Sequence, residues 1–133
     1  MKKPYSDKVM DHFTHPRNVG SLDRHSARVG TGVASEGECG DVIRMQVEID
    51  SGGRIVDARF KAFGCGAAIA ASSFTTEWLK GRCVDRVGDL RETYIAEKLS
   101  LPPVKRHCSV LAEGAAKAAV EDWRQKHTRP HAD

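Results

Sequence analysis

What most restricts the fold of this chain is a pair of alternating segments joined by Ser51-Gly52-Gly53. Ile43, Met45, Val47 and Ile49 alternate with Arg44, Gln46 and Glu48. Val56, Ala58, Phe60 and Ala62 alternate with Asp57, Arg59 and Lys61. A period of two is that of a half-buried strand, whose successive side chains point to opposite faces. The glycine pair supplies the turn, so an antiparallel hairpin with one apolar face is expected. A third strand is expected over residues 28–35, ahead of Cys39.

The remainder reads as helix. Ser6 suits the cap of a short helix through Val9, Met10 and Phe13, stopped by Pro16. Residues 67–80 place Ala67, Ala71, Phe74 and Trp78 on one face, with Gly81 as the stop. A shorter helix is expected over residues 93–99, and Pro102 and Pro103 then impose an extended segment. The final helix is expected from about Cys108 to about Lys126. Glu113, Lys117 and Glu121 line its wet face, with Leu111, Ala115, Ala118 and Ala119 inward. Strands first and helices after predict an α+β domain, a small three-stranded antiparallel sheet with helices packed on one face. At 133 residues one domain is expected, over residues 1–126, with 127–133 as a disordered tail.

Composition narrows the function classes. No apolar run approaches the roughly 18 residues of a membrane span, and no apolar stretch follows the two N-terminal lysines. A cytoplasmic protein without membrane contact is therefore expected. Net charge is only +3, with no basic stripe interleaved with aromatics, which argues against nucleic-acid binding. In a reducing compartment, four cysteines point to metal or redox chemistry rather than a disulfide frame.

Three of those cysteines sit in short motifs: Cys39-Gly40-Asp41, Gly64-Cys65-Gly66 and His107-Cys108-Ser109. Cys39 precedes the first hairpin strand and Cys65 follows the second, so an antiparallel hairpin brings them side by side. Cys108 opens the last helix, where the helix dipole, His107 and Lys105 favour a thiolate. Three thiols, a carboxylate and an imidazole form a soft-metal ligand set. Such mixed ligation at an exposed edge holds its cargo less firmly than four thiolates in a closed cage. Asp41 also suits a plain turn residue, and His107 a surface histidine at a helix start. Cys83 has no such neighbours and reads as structural or incidental, and His12, His15, His25, His127 and His131 read as surface residues. A zinc-bound sulfur-relay protein would use the same ligands.

At these residues the chain resembles the IscU/NifU iron–sulfur cluster scaffold family, nearer to IscU than to NifU. The likeness runs from Tyr5 to about Trp123, through Pro16-Arg17-Asn18-Val19-Gly20, Cys39-Gly40-Asp41, Phe63-Gly64-Cys65-Gly66, Thr76-Glu77-Trp78, Leu101-Pro102-Pro103-Val104-Lys105 and His107-Cys108-Ser109. The resemblance implies the IscU/SufE-like fold and a scaffold rather than an enzyme. It implies that Cys39, Asp41, Cys65, His107 and Cys108 hold iron and a [2Fe–2S] cluster, or a [4Fe–4S] cluster across a homodimer, and that zinc occupies the apo site. It further implies persulfide on Cys108, with Cys65 second, delivered by a cysteine desulfurase. Implied partners are a ferredoxin, a frataxin-like iron donor, apo acceptor proteins, and an Hsp70-type chaperone with its J-protein. The chaperone would read Leu101, Pro102, Pro103, Val104 and Lys105, a segment that equally suits a rigid linker. Glu36-Gly37-Glu38 departs from the small residues and proline usual in the family before Cys39, and Cys83 is an extra thiol. The inserted segment of the zinc-bearing SufU relatives is missing, which favours cluster assembly over the zinc-bound SufU-like sulfur relay.

Overall fold

The computed structural model describes residues 5–36 and 40–128. Cys39 therefore lies outside the described residues, as do His131 and residues 129–133. The first helix, α1 (Asp7–Thr14), begins where Ser6 accepts a hydrogen bond from the Val9 N–H at 3.1 Å. Three strands follow, β1 (Val29–Ser35), β2 (Val42–Ile49) and β3 (Ile55–Phe63), in the antiparallel order β1-β2-β3. Three more helices complete the chain: α2 (Gly66–Leu79), α3 (Glu92–Leu99) and α4 (Arg106–Thr128). The fold is the expected α+β arrangement, with α2 and α4 against one face of the sheet.

Register explains that face. Ile43 opposes Ala62, Met45 opposes Phe60 and Val47 opposes Ala58, so the apolar positions meet in cross-strand pairs. Ile43, Met45 and Val47 are fully buried, each worth about 1.5–3 kcal/mol of transfer free energy. Across β1 the same face carries only Gly30, Gly32 and Ala34, opposite Val47, Met45 and Ile43. A Cβ on Gly30 would meet the Ala119 carbonyl oxygen at 1.9 Å, and one on Gly32 the Ala115 carbonyl oxygen at 2.3 Å. The small stripe lets the α4 backbone lie directly on the strand.

Several expectations need correction. Val56 is exposed and Ile55 buried, because the ladder slips between Glu48 and Ile49. Val56 is the extra residue of a bulge, which turns Ile55 inward. Gln46 is buried on the outer face, where its amide exchanges hydrogen bonds with the Leu22 backbone at 2.7 and 3.0 Å. The α2 helix is buried nearly all round rather than on one face, with Phe74 and Trp78 only partly covered. It passes between the sheet and the other helices, and Ser72 and Thr75 return their hydroxyls to the carbonyls of Ala68 and Ala71. His12 is likewise buried, 2.7 Å from the Ser73 hydroxyl.

The α4 helix starts two residues earlier than expected and runs through Thr128, past the proposed domain limit at 126. Ala118 faces solvent, whereas Ala112, Ala116 and Val120 join Ala115 and Ala119 inward. Only Pro102 is extended; Pro103–Lys105 forms one 3₁₀ turn feeding α4, because the φ that proline fixes also suits the first turn of a helix. A further 3₁₀ turn, Val84–Asp89, closes the far end of the core with Val84 and Val87. Among the described residues no helix is long and apolar enough to cross a membrane.

Candidate metal centre

Three junctions meet at one end of the sheet. Val42 pairs with Phe63, which sets Asp41 against Gly64. The packing there is tight: a Cβ on Gly64 would fall 2.1 Å from Asp41 Oδ1, and Gly64 also has a φ of +149°. Only glycine meets both demands. The next residue, Cys65, is the N-cap of α2, so its thiol sits where β3 gives way to helix. The first turn of α4 supplies His107 and Cys108 from the third side.

That turn is pinned from α3. Arg106 pairs with the Glu92 carboxylate at 3.1 Å, and the buried Ser109 hydroxyl contacts the same carboxylate at 3.1 Å. Glu113 in turn accepts from the Glu92 N–H at 2.5 Å. Ser109 was legible as part of a motif, but its bracing part, shared with Glu92, was not.

Asp41 Oδ2 is the hub of the site. It lies 2.9 Å from His107 Nε2, 3.8 Å from Cys108 Sγ and 4.0 Å from Cys65 Sγ. The two sulfurs are 3.6 Å apart, and Cys108 Sγ is 3.5 Å from His107 Nε2. A tetrahedral zinc-type ion, with bonds of about 2.0 Å to nitrogen or oxygen and 2.3 Å to sulfur, spaces its donors about 3.3–3.8 Å apart. The observed separations bracket that range. Among the described residues Asp41, His107 and Cys108 form the compact group that could hold a single ion, and Cys65 lies beyond it, within reach of Cys108 and Asp41. Among the described residues the donors thus form an open row with His107 and Cys65 at its ends.

Burial shapes the electrostatics. Asp41 is 5 % exposed and Cys108 0 %. The Cys108 thiol is pushed up from the ordinary 9.0, first by desolvation, then by Cys65 and Asp41, with Lys105 opposing. Burial and the neighbouring anionic groups thus work against the helix-end thiolate suggested by the sequence, and outweigh the help of the Lys105 ammonium. The Lys105 ammonium is held up above its ordinary value, chiefly by Cys65.

Glu36 also reaches the site, its carboxylate 3.5 Å from His107 Nε2. Its only sequence signal was the acidic loop before Cys39. Within residues 101–105, Leu101 is buried and Val104 is 78 % exposed. Cys83 lies at the opposite end of the sheet, bridged to Arg54 and exposed.

The family described as "NifU-like N terminal domain" matches residues 4–130. The chain is 56 % identical over 122 residues to the "Iron-sulfur cluster assembly scaffold protein IscU" of Azotobacter vinelandii, covering 92 % of this chain and 95 % of that protein. It is 53 % identical over 125 residues to the "Iron-sulfur cluster assembly enzyme IscU" of Drosophila melanogaster, covering 94 % of this chain and 81 % of that one. Its fold superimposes with a TM-score of 0.68 on the N-terminal part of a nitrogen-fixing NifU-like protein from Brucella abortus, at 16 % identity, covering 91 % of this chain and 94 % of that one. Matched almost end to end by the family and more than half identical to relatives along most of its length, the chain belongs to the NifU-like N-terminal domain family.

Proposed function

We propose that this protein is a scaffold on which iron and sulfide are assembled into an iron–sulfur cluster that is then passed to apo-proteins. The observation that carries the reading is the convergence of two thiols, a buried carboxylate and an imidazole in an open row at one end of the sheet. Relatives at more than half identity are named for iron–sulfur cluster assembly, which supports it. Sulfur-rich ligation suits iron–sulfur cargo, and an oxygen and a nitrogen donor keep that cargo exchangeable. The part is that of a carrier, not of a catalyst with its own turnover.

In this reading Cys39, Asp41, Cys65, His107 and Cys108 are the cargo ligands, and the cargo is a [2Fe–2S] cluster. A [4Fe–4S] cluster would need a second copy of the chain, and zinc would fill the compact group when no iron is present. Sulfur arrives from a cysteine desulfurase: a scaffold thiolate attacks the outer sulfur of the desulfurase persulfide, the S–S bond breaks, and the desulfurase thiolate leaves. We assign the accepting thiolate to Cys108, with Cys65 second; the half-buried Cys65, beside the Lys105 ammonium, is the more accessible of the two. Each persulfide then takes two electrons to yield sulfide and thiolate, supplied by a ferredoxin, and a frataxin-like protein donates the iron.

Release belongs to an Hsp70-type chaperone with its J-protein, acting on Leu101, Pro102, Pro103, Val104 and Lys105. Val104 is already exposed, but Leu101 is buried, so gripping this segment unwinds the turn that leads into His107 and Cys108. Chaperone binding and loss of ligands are thereby one event. The test is anaerobic loading with ferrous iron and sulfide. Cys65→Ser and Cys108→Ser each lose the visible sulfide-to-iron absorption, while Cys83→Ser keeps it; retention by both of the first two would overturn the assignment.

A further inference from the structure

The strongest unexplained group near the site is Glu36. Ser35 and Val42 form the last pair of the β1–β2 ladder. One step beyond, the Glu36 N–H donates to the Asp41 carbonyl at 3.0 Å, and the Gly40 N–H donates to the Glu36 carbonyl at 3.1 Å. The neck of this loop therefore fixes two carboxylates opposite one another. Asp41 uses its carboxylate on His107 Nε2 at 2.9 Å, and Glu36 Oε2 approaches the same nitrogen at 3.5 Å. That Glu36 oxygen is buried and accepts no hydrogen bond from any described residue, although the side chain as a whole is 39 % exposed. A buried carboxylate oxygen without a donor is unfavourable unless a cation reaches it. Here it lies 3.5 Å from His107 Nε2, at the edge of the one group of side chains suited to holding a metal ion among the described residues, and outside that compact group itself.

We propose that Glu36 is an oxygen ligand of the metal centre, holding ferrous iron together with Asp41, His107 and Cys108 before sulfide arrives. The proposal rests on the metal-centre reading above and adds a residue to it. Ferrous iron without sulfide accepts carboxylate and imidazole readily, whereas thiolate and sulfide take over as the cluster forms. Glu36 thus acts on iron loading and not on the finished cluster. The step is ligand exchange without redox: the ion takes the place of the proton on the Cys108 sulfur, which leaves to solvent.

Cobalt(II) is the probe, because its colour reports ligands directly and its bonding resembles that of ferrous iron. Wild-type protein, freed of metal, is titrated anaerobically and followed through its thiolate-to-cobalt and ligand-field bands. Glu36→Gln, which keeps size and hydrogen-bonding capacity, weakens cobalt binding about ten-fold or more while the thiolate band remains. Glu121→Gln on the exposed side of α4 keeps the wild-type affinity, and circular dichroism shows all variants folded. X-ray absorption of the ferrous protein loses one oxygen neighbour in Glu36→Gln. Affinity within two-fold of wild type with an unchanged spectrum overturns the proposal. So does tighter binding, which would make Glu36 a mere charge partner that competes with the metal for His107. Absence of a thiolate band in the wild type itself would instead overturn the metal centre, and Glu36's role with it.

Discussion

At the scale of single residues, Asp41 Oδ2 sits within 4.0 Å of both sulfurs and within 2.9 Å of a ring nitrogen. Its carboxylate is a hard donor among soft ones, and in the proposed role it is the ligand most easily exchanged on iron. Asp41→Ala is expected to lengthen cluster lifetime several-fold and to slow transfer to an acceptor. The decay of the visible absorption, with and without acceptor, checks both; equal or faster loss in the variant contradicts the role. Asp41 was legible from its motif, because the hairpin register sets residue 41 against residue 64. Glu36 was visible only as an acidic departure, since its approach to His107 depends on α4, which arrives from the far end of the chain. His12 was misread for the opposite reason: a histidine on a short polar helix looks exposed until α2 is laid over it.

Elements decide how that geometry is held. The α4 helix rests on the glycine stripe of β1, so Gly32→Ala forces a Cβ into the Ala115 carbonyl. A loss of about 1–3 kcal/mol is expected, read as a lower urea midpoint at unchanged slope. Between α1 and α2, burial holds the His12 imidazole below its ordinary 6.5, assisted by Arg17 and Lys8 and opposed by Glu77 and Asp11. The unfolded chain therefore takes up a proton near pH 6.5 that the folded chain resists. Stability from this group is complete above pH 6.5 and falls as the pH drops through the lower, folded value. His12→Gln should flatten that acid limb in a series of denaturant melts, and an unchanged slope would contradict the assignment. The hairpin was readable because its period is unambiguous. The bulge was not, since Ile55 and Val56 are both apolar and only the ladder selects which turns inward. The polar look of Ser72, Ser73, Thr75 and Thr76 likewise concealed a buried helix whose hydroxyls bond to its own backbone or to His12.

At the scale of the whole molecule, the proposed ligands come from the β1–β2 loop, the β3–α2 junction and the start of α4, so the proposed site exists only when all three are docked. Metal binding is then coupled to folding. Zinc or cobalt at one hundred times its dissociation constant should stabilise the fold by about 2.7 kcal/mol. In a thermal melt this raises the midpoint; a chelator should reverse the rise, and Cys108→Ser should lack it. Assembly followed by transfer is best probed by anaerobic assembly driven by a cysteine desulfurase. The metal-free protein is mixed with desulfurase, cysteine, ferrous iron and a reductant, and iron and labile sulfide are assayed before apo-ferredoxin is added. A scaffold forms a cluster catalytically, requires Cys39, Cys65 and Cys108 to do so, and passes the cluster to the ferredoxin. Persulfide on the protein with no cluster, even after zinc has been removed, would contradict it and make the chain a sulfur relay.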